Sequence, residues 1–215
     1  HLDLHPLPAQ SEIIHAIWES SAPKDVLVSA AGSQPGDLHK LWRTRTPGGY
    51  HMEYGYSCMA YEIPAAIGVK LADPSREVYA WIGDGTYLMN PTEIVTAVQE
   101  GVKVIFIIVN NSGFGSIGGL SASLGSGGFG TRFRERNPQT GQLDGDPLPI
   151  DFAANAASLG AAVISAANLV EFKAALKKAR KLNHACVIVV KAEREVRVPG
   201  YDSWWDVAVA EVSEM

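Results

Sequence analysis

Short apolar segments alternate along the chain with segments of helical periodicity. The apolar segments lie at residues 25–29, 49–52, 78–82, 102–109, 161–165 and 186–191. Between them, apolar positions recur at helical spacing over residues 11–19, 59–71, 92–99, 150–159 and 168–181. This alternation is typical of parallel strands joined by crossover helices. We therefore predict an α/β fold: a three-layer, doubly wound sheet of about six mainly parallel strands.

The most apolar segment and the segment after it contrast sharply. Residues 102–109 are rich in β-branched side chains, which predicts a strand at the centre of a sheet that is covered on both faces. Residues 110–149 contain ten glycines and show no periodicity. A stretch of this length without regular elements is usually a functional loop or a disordered one. We expect an active-site loop, without helix or strand, from residue 112 to about residue 149.

Composition and charge exclude several classes of protein. With 47% hydrophobic and 19% charged residues among 215, the chain has the composition of one folded domain. The formal net charge is −5, without a basic stripe, which argues against a nucleic-acid partner. Two cysteines fit a reducing compartment, and no apolar run is long enough to cross a bilayer. We predict a cytoplasmic protein with no membrane partner.

Two polar motifs follow neighbouring predicted strands. Gly83-Asp84-Gly85 comes directly after the strand at 78–82, and Asn111 follows the strand at 102–109. Adjacent parallel strands end at the same edge of a sheet, so these side chains are expected to meet there. Carboxylate and amide oxygens are ligands that Mg²⁺ prefers, and Gly85 would let the backbone approach a phosphate. Taken alone, Gly-Asp-Gly is also a common turn.

The order strand, Gly-Asp-Gly, helix, apolar strand, Asn-Asn resembles the signature of thiamine diphosphate-dependent enzymes. This resemblance implies that Mg²⁺ and thiamine diphosphate are the cofactors. It implies that Asp84, Asn111 and the carbonyl of Gly113 hold the metal ion. The positions that it places against the cofactor in this part of the chain are Gly83, Asp84, Gly85, Thr86, Asn111, Gly113 and Phe114.

A second match lies upstream, where residues 59–68 look like a segment of the acetolactate synthase-like branch of these enzymes. The resemblance implies that Met59 supports the bend of the cofactor, a role that suits a flexible, polarizable thioether. Ala60 and Ser57 depart from that branch, which has glycine at both positions. The Ser57 carbonyl would still be the acceptor for the aminopyrimidine. A plain packing role for Met59 stays open.

A third match follows the first predicted strand. Gly32, Ser33 and Gln34 stand where these enzymes hold the diphosphate, and glycine, hydroxyl and carboxamide groups suit that task. Such a turn is common, so an ordinary loop remains the alternative.

Four further strings are similar to the C-terminal domain of the trihydroxycyclohexanedione hydrolases, which open a ring in myo-inositol catabolism. They lie at residues 49–59, 140–145, 148–155 and 200–205. The resemblance implies hydrolysis of a ring C–C bond in a small cyclic 1,2-dione, giving 5-deoxy-D-glucuronate. Two alternatives stay open: another acetolactate synthase-like carboligase, lyase or 2-oxoacid decarboxylase, and a non-enzymatic phosphate- or nucleotide-binding module.

One part of such an enzyme has no counterpart in this sequence. In the family, the glutamate that activates the cofactor belongs to a separate pyrimidine-binding domain, normally across a subunit interface. The six predicted strands use the whole of residues 1–215, so we expect a single pyrophosphate-binding domain without a catalytic residue of its own. It would be a fragment or subunit of a longer, multidomain homo-oligomer, dimer or tetramer. An apolar face bearing Met59 and Phe114 should be exposed in the isolated domain.

The remaining candidates favour structural roles. His51 and Glu53 could face substrate, but a structural hydrogen bond is as good an interpretation. Cys58 is expected to be a small buried side chain. The arginines at 132, 134 and 136 are expected to be solvated.

Overall fold

The computed structural model describes residues 7–30, 32–53, 55–56 and 58–198, except for the side chains of residues 33–35. The strands in this part of the chain are β1 (Val26–Ser29), β2 (Tyr50–Met52), β3 (Val78–Gly83), β4 (Ile105–Asn110), β5 (Ala162–Ala166) and β6 (Cys186–Lys191). The helices are α1 (Gln10–Ser20), α2 (Ser33–Leu41), α3 (Glu62–Ala72), α4 (Asp84–Tyr87), α5 (Glu93–Gln99), α6 (Gly115–Ser123), α7 (Phe152–Ser158) and α8 (Leu169–Ala179).

The strands form one parallel sheet in the order β2-β1-β3-β4-β6-β5. The predicted α/β fold is confirmed, with β4 near the centre between β3 and β6. From β1 the chain leads outward to β2, whereas from β3 it leads to β4 in the opposite direction. The sheet therefore reverses its winding between β1 and β3, and open α/β sheets bind ligands beyond the carboxyl ends of their strands at such a point.

Two apolar layers cover the sheet. Alternate residues of the central strands point to opposite faces, as in Ala80 and Trp81 of β3, both fully buried. One face packs against α3, α5 and α7, and the other against α1, α2 and α8. This arrangement gives the predicted three layers. No helix in the described part of the chain is long and apolar enough to cross a membrane.

Local sequence features account for where two of the helices begin, α3 and α8. Pro64 lies in the first turn of α3, where its missing N–H would have no helical partner in any case. Asn168 caps α8, because its Oδ1 accepts the N–H of Glu171 at 2.9 Å. The Glu171 carboxylate in turn accepts the N–H of Ala167 at 2.8 Å. Asn168 and Glu171 thus form a capping pair whose return bond reaches the residue before the cap.

The prediction of a segment without helix or strand from 112 to 149 is wrong, because α6 lies within it. This helix contains Gly115, Gly118 and Gly119, and none of its side chains is buried. A helix that buries no face has no apolar periodicity, so the sequence pattern could not show it. Past α6 the chain runs to residue 149 without a further helix or ladder strand. Two isolated antiparallel bridges hold it, Gly113 with Arg132 and Arg134 with Pro147.

Candidate functional site

The polar motifs that follow β3 and β4 lie side by side. Gly83 ends β3 and pairs with Val109 of β4, so Asp84 and Asn111 emerge from neighbouring strands at the same edge. The turn after β3 continues directly into the short helix α4. The loop after β4 runs through Gly113 and Phe114 into α6, and the two loops are in direct contact.

Asp84 is the buried centre of this contact. Its side chain is 1% exposed, and Oδ2 accepts the backbone N–H groups of Asn111 at 3.0 Å and Gly113 at 3.1 Å. Burial raises the pKa of Asp84 to about 6, against the opposing effect of these backbone N–H groups. A nearby cation would stabilise the ionised form of this buried carboxylate, because the positive charge offsets the cost of desolvation.

Asn111 offers an oxygen that the protein leaves without a partner. Its Oδ1 is buried and accepts no hydrogen bond from any described residue. An unsatisfied buried acceptor costs roughly 1–3 kcal/mol unless a ligand satisfies it. Asn111 itself is in contact with Asp84 through its backbone N–H, and an unpartnered amide oxygen in such a residue fits a ligand of a hard cation.

Gly113 supplies a backbone position that other residues could not adopt. Its φ is 141°, and a Cβ there would overlap the carbonyl oxygen of Thr131. The carbonyl before it, of Ser112, accepts the N–H of Phe133 at 3.2 Å, and the carbonyl after it, of Phe114, accepts the N–H of Gly118 at 2.9 Å. Among the described residues, no hydrogen bond reaches the Gly113 carbonyl itself. Three residues joined by the hydrogen bonds to Asp84 thus carry a carboxylate, an unpartnered amide oxygen and a free carbonyl, which are the oxygen types that Mg²⁺ binds.

Gly85 has a neighbour that the sequence did not indicate. A Cβ on Gly85 would lie 2.6 Å from two ring carbons of Phe114. The half-buried Phe114 ring also meets Phe133 edge-on at 5.8 Å. In this structure the missing side chain of Gly85 therefore makes room for the aromatic ring of the β4 loop.

Met59 belongs to a loop that is tied to the Asp84 turn. The next residue, Ala60, has a left-handed φ of 69° and donates its N–H to Thr86 Oγ1 at 2.6 Å. The Thr86 hydroxyl in turn donates to Glu62 Oε2 at 3.1 Å. This chain of hydrogen bonds joins the half-buried Met59 to α4. The left-handed conformation of Ala60 also explains why the resembling enzymes have glycine there.

Glu62 is a buried acid that the sequence analysis missed. Its side chain is 1% exposed, and its Oε1 has no hydrogen-bond partner in the described part of the chain. Burial raises the pKa of Glu62 to about 7. One signal could have identified it: a lone acid within the otherwise apolar start of the helical segment.

Gly32 is the part of the predicted diphosphate turn that the structure describes. It has a φ of 112° and precedes the first residue of α2, so the free N–H groups of that helix follow it. The side chains of Ser33 and Gln34 lie outside what the structure describes, as does Ser57 in the loop before Met59. The predicted contacts of these three residues therefore stay predictions.

The secondary candidates have structural roles or none. Glu53 accepts the N–H groups of Tyr56 at 2.8 Å and Cys58 at 2.6 Å, and these bonds lower its pKa. Cys58 is exposed, so its predicted burial is wrong: it lies in the turn before α3 rather than on a packed helix face.

Two cavities differ in their relation to the site. One of about 380 Å³ lies beside the loop after β4 and is lined by Asn111, Arg132, Lys191 and Arg194, among others. A larger one of about 540 Å³ lies against α1 and α8, and none of the predicted site residues lines it. Size alone would select the second cavity, but of these two only the first is lined by a predicted site residue, Asn111.

A comparison with known protein families matches residues 30–190, three quarters of the chain, to a single family. Its description is "Thiamine pyrophosphate enzyme, C-terminal TPP binding domain", thiamine pyrophosphate being another name for thiamine diphosphate. The chain belongs to this family. The residues matched include Asp84, Asn111 and Gly113, and the predicted family is confirmed.

Several curated relatives of this thiamine pyrophosphate-binding domain carry the same name. The chain is 48% identical over 189 residues to "3D-(3,5/4)-trihydroxycyclohexane-1,2-dione hydrolase" of Bacillus thuringiensis (strain Al Hakam). It is 49% identical over the same length to the protein of that name from Bacillus cereus (strain AH820). In both cases the match covers 88% of this chain and 29% of the relative. The domain thus spans less than a third of the relatives' length.

A solved structure shows the same fold. It is the "Rhodococcus jostii RHA1 thiamine diphosphate-dependent 4-hydroxybenzoylformate decarboxylase", with a TM-score of 0.76 over 90% of this chain and 34% of that chain. Because the sequences are only 23% identical, this likeness bears on the fold of the TPP-binding domain and on nothing finer.

Proposed function

We propose that this domain binds thiamine diphosphate through Mg²⁺, as part of an enzyme that hydrolyses a ring C–C bond. The observation that carries the proposal is the buried Asn111 Oδ1, which lacks a partner beside the buried carboxylate of Asp84. An orphaned oxygen next to a carboxylate is explained by a cation that binds both. The carbonyl of Gly113 is the third protein ligand.

Each residue of the site has a defined part in this proposal. Asp84 and Asn111 hold the metal ion, and the rest of its coordination falls to diphosphate oxygens and water. Gly32 and the first N–H groups of α2 favour an anion at the end of β1. Met59, held by the Ala60–Thr86 hydrogen bond, supports the organic part of the cofactor. When bound, thiamine diphosphate supplies the electron sink for breaking the C–C bond.

The substrate class rests on the relatives. Their name specifies trihydroxycyclohexane-1,2-dione, and the strings shared with such hydrolases run through most of the chain. We assign to the whole enzyme the hydrolytic opening of this cyclic dione to 5-deoxy-D-glucuronate in myo-inositol catabolism, in the cytoplasm.

A partner domain completes the active site in this proposal. Apolar side chains are exposed directly after the metal-binding loop: Ile117 is 52% exposed, Leu124 86% and Phe129 57%. Met59 and Phe114, expected on this face, are half-buried. Exposed apolar side chains gathered in one region favour an interface. We assign it to a pyrimidine-binding domain of the same longer chain or of another subunit in a homo-oligomer.

Calorimetry tests the binding part of the proposal. The unmodified chain should bind thiamine diphosphate only with Mg²⁺, and a ligand at 100 times its Kd should add about 2.7 kcal/mol to the free energy of unfolding. Asp84→Ala removes the charged ligand and should abolish both effects. Asp144→Ala, which removes an exposed carboxylate that accepts only from the Thr140 hydroxyl among the described residues, should change neither.

Two results would contradict the proposal. One is Mg²⁺-dependent binding of equal strength by Asp84→Ala and the unmodified chain. The other is a preference for nucleotides over thiamine diphosphate, which would support a general phosphate-binding module instead.

A further inference from the structure

Arg194 reaches from the end of the sheet into the loop that carries the proposed metal ligands. It follows β6 by three positions, and only 14% of its side chain is exposed. Its Nη1 donates to the carbonyl of Asn111 at 3.3 Å, and its Nη2 donates to the carbonyls of Phe114 at 3.3 Å and Thr131 at 3.1 Å. One guanidinium group therefore joins three points of the loop around Gly113.

These contacts decide which carbonyl of the loop is free. Arg194 engages the carbonyls of Asn111 and Phe114, and the N–H of Phe133 engages that of Ser112. In the described part of the chain, only the Gly113 carbonyl of these four consecutive residues has no hydrogen-bond donor. The backbone carbonyl of Asn111 accepts a hydrogen bond from Arg194, so the oxygen of Asn111 that is free to bind a metal ion is its side-chain Oδ1.

Two glycines make room for the guanidinium group. A Cβ on Gly113 would lie 3.1 Å from Nη1 of Arg194, and a Cβ on Gly118 would lie 2.8 Å from Nη2. Gly118 lies inside α6, where glycine lowers helix stability relative to alanine. A Cβ on the neighbouring Gly119 would have no atom within 4 Å. The glycine at 118 thus makes room for Arg194 and also for Thr131, whose Oγ1 would lie 3.0 Å from the same Cβ, whereas the one at 119 makes room for neither.

We propose that Arg194 is a positioning residue, whose guanidinium group orients the loop 111–114 so that Asn111 Oδ1 and the Gly113 carbonyl face the metal ion. The predicted effect of Arg194 on metal binding rests on the function proposed above, whereas its predicted effect on the loop does not require a metal ion. A lysine keeps the positive charge yet lacks the planar fork of donors, so it cannot hold three carbonyls at once.

The first test compares Arg194→Lys with Arg136→Lys, whose parent arginine is exposed and contacts a carbonyl of its own turn. In Arg194→Lys without ligand, the amides of Asn111 and Gly113 should exchange hydrogen at least about tenfold faster. The Mg²⁺ concentration needed for half-saturation with thiamine diphosphate should rise about tenfold, which corresponds to about 1.4 kcal/mol. Affinity for thiamine diphosphate at saturating Mg²⁺ should stay near that of the unmodified chain. Arg136→Lys should match the unmodified chain throughout.

The second test leaves the arginine in place, which also covers the case that Arg194→Lys does not fold. Gly118→Ala pushes against Nη2, whereas Gly119→Ala in the same helix meets nothing. Both substitutions raise helix propensity. If Arg194 only stabilises the fold, Gly118→Ala should lose stability with unchanged Mg²⁺ binding, and Gly119→Ala should lose neither stability nor Mg²⁺ binding. A positioning role predicts weaker Mg²⁺ binding for Gly118→Ala alone.

Each outcome separates the two proposals. If the unmodified chain shows no Mg²⁺-dependent binding, the proposed function fails, and the exchange rates at Asn111 and Gly113 still decide the role of Arg194. If it does bind and Arg194→Lys matches it in exchange and Mg²⁺ requirement, the positioning role is wrong. Normal values for Arg194→Lys with weak binding by Arg194→Met would show that charge alone matters, which also overturns the proposal.

Discussion

Ala60 has a backbone conformation that an L-residue adopts at a cost. Its φ of 69° lies in the left-handed region, where a Cβ crowds the following carbonyl oxygen by roughly 1–2 kcal/mol. The hydrogen bond from its N–H to Thr86 holds the residue there and thereby holds Met59 at the site. The molecule gives up some stability to fix the loop that supports the cofactor in our proposal.

Ala60→Gly should therefore stabilise the chain. Relief of the left-handed strain exceeds the extra chain entropy of glycine, so we expect a gain of up to about 1 kcal/mol in the free energy of unfolding. Ala157→Gly, at an exposed position in the last turn of α7, is the control and should cost up to about 1 kcal/mol. Urea unfolding of the three proteins measures both changes. A loss of stability in Ala60→Gly would show that the loop is not strained.

Glu62 makes stability depend on pH in an unusual direction. Burial raises its pKa from 4.5 to about 7, so the native state keeps a proton that the unfolded state releases above pH 4.5. Its contribution is fully present below pH 4.5 and is lost as the pH rises to about 7. Asp84, whose pKa burial also raises, acts in the same direction.

Glu62→Gln removes the titration but keeps an acceptor for the Thr86 hydroxyl. The decline in the free energy of unfolding between pH 4.5 and 7 should be clearly shallower in this variant than in the parent chain. Unfolding in urea at a series of pH values, without Mg²⁺, isolates the effect as the difference between the two curves. Parallel curves would mean that Glu62 ionises in the native state much as it does in the unfolded chain.

Helix α6 has little support from packing. A helix with three glycines and no buried side chain gains little from packing, so it should open locally at low cost. It begins two residues after Gly113, which places its first turn next to the proposed metal site. We therefore expect ligand binding to affect this helix before any other.

We expect the amides of α6 to exchange rapidly in the free chain and slowly with Mg²⁺ and thiamine diphosphate. Fixing the Gly113 carbonyl restricts the residues from which α6 starts, which raises the cost of opening the helix. Hydrogen exchange measured with and without both ligands is the test, and the amides of the central strand β4 are the internal reference. Equal protection of α6 in the two states would make it a fixed structural element.

We expect this chain to bind the cofactor without turning over the substrate. In our proposal, this chain supplies ligands for the metal ion and supports for the cofactor, whereas the activating glutamate belongs to a partner domain. General acid–base groups are typically worth 10²–10⁴-fold in rate, and a missing wall of the pocket also admits water. The isolated chain should bind thiamine diphosphate and turn over nothing.

An assay with the cyclic dione, Mg²⁺ and thiamine diphosphate checks this, first on this chain and then with the pyrimidine-binding region added. Activity should appear only in the second case. Pyruvate as the alternative substrate separates the ring-opening hydrolase from a related lyase or decarboxylase. Full turnover by this chain alone would show that its active site is complete.

Some features of the protein follow from local sequence. The bounds of β6, the Asn168 cap of α8 and the place of Pro64 in the first turn of α3 depend on residues within one or two turns of one another. The approach of Asp84 and Asn111 follows from topology alone, because consecutive parallel strands end at one edge. Periodicity and the order of the strands along the chain can be derived from the sequence, so these features could be predicted without the structure.

Other features were decided only when the chain packed. Arg194 contacts the carbonyl of Asn111 from a position after the last strand, and no periodicity marks such a distant partner. The burial of Glu62, the contact of Gly85 with Phe114 and the formation of the exposed α6 are likewise absent from any local pattern. Sequence indicated which oxygens could meet a metal ion. Tertiary structure decided which of them are free to do so, because hydrogen bonds between distant segments occupy the others.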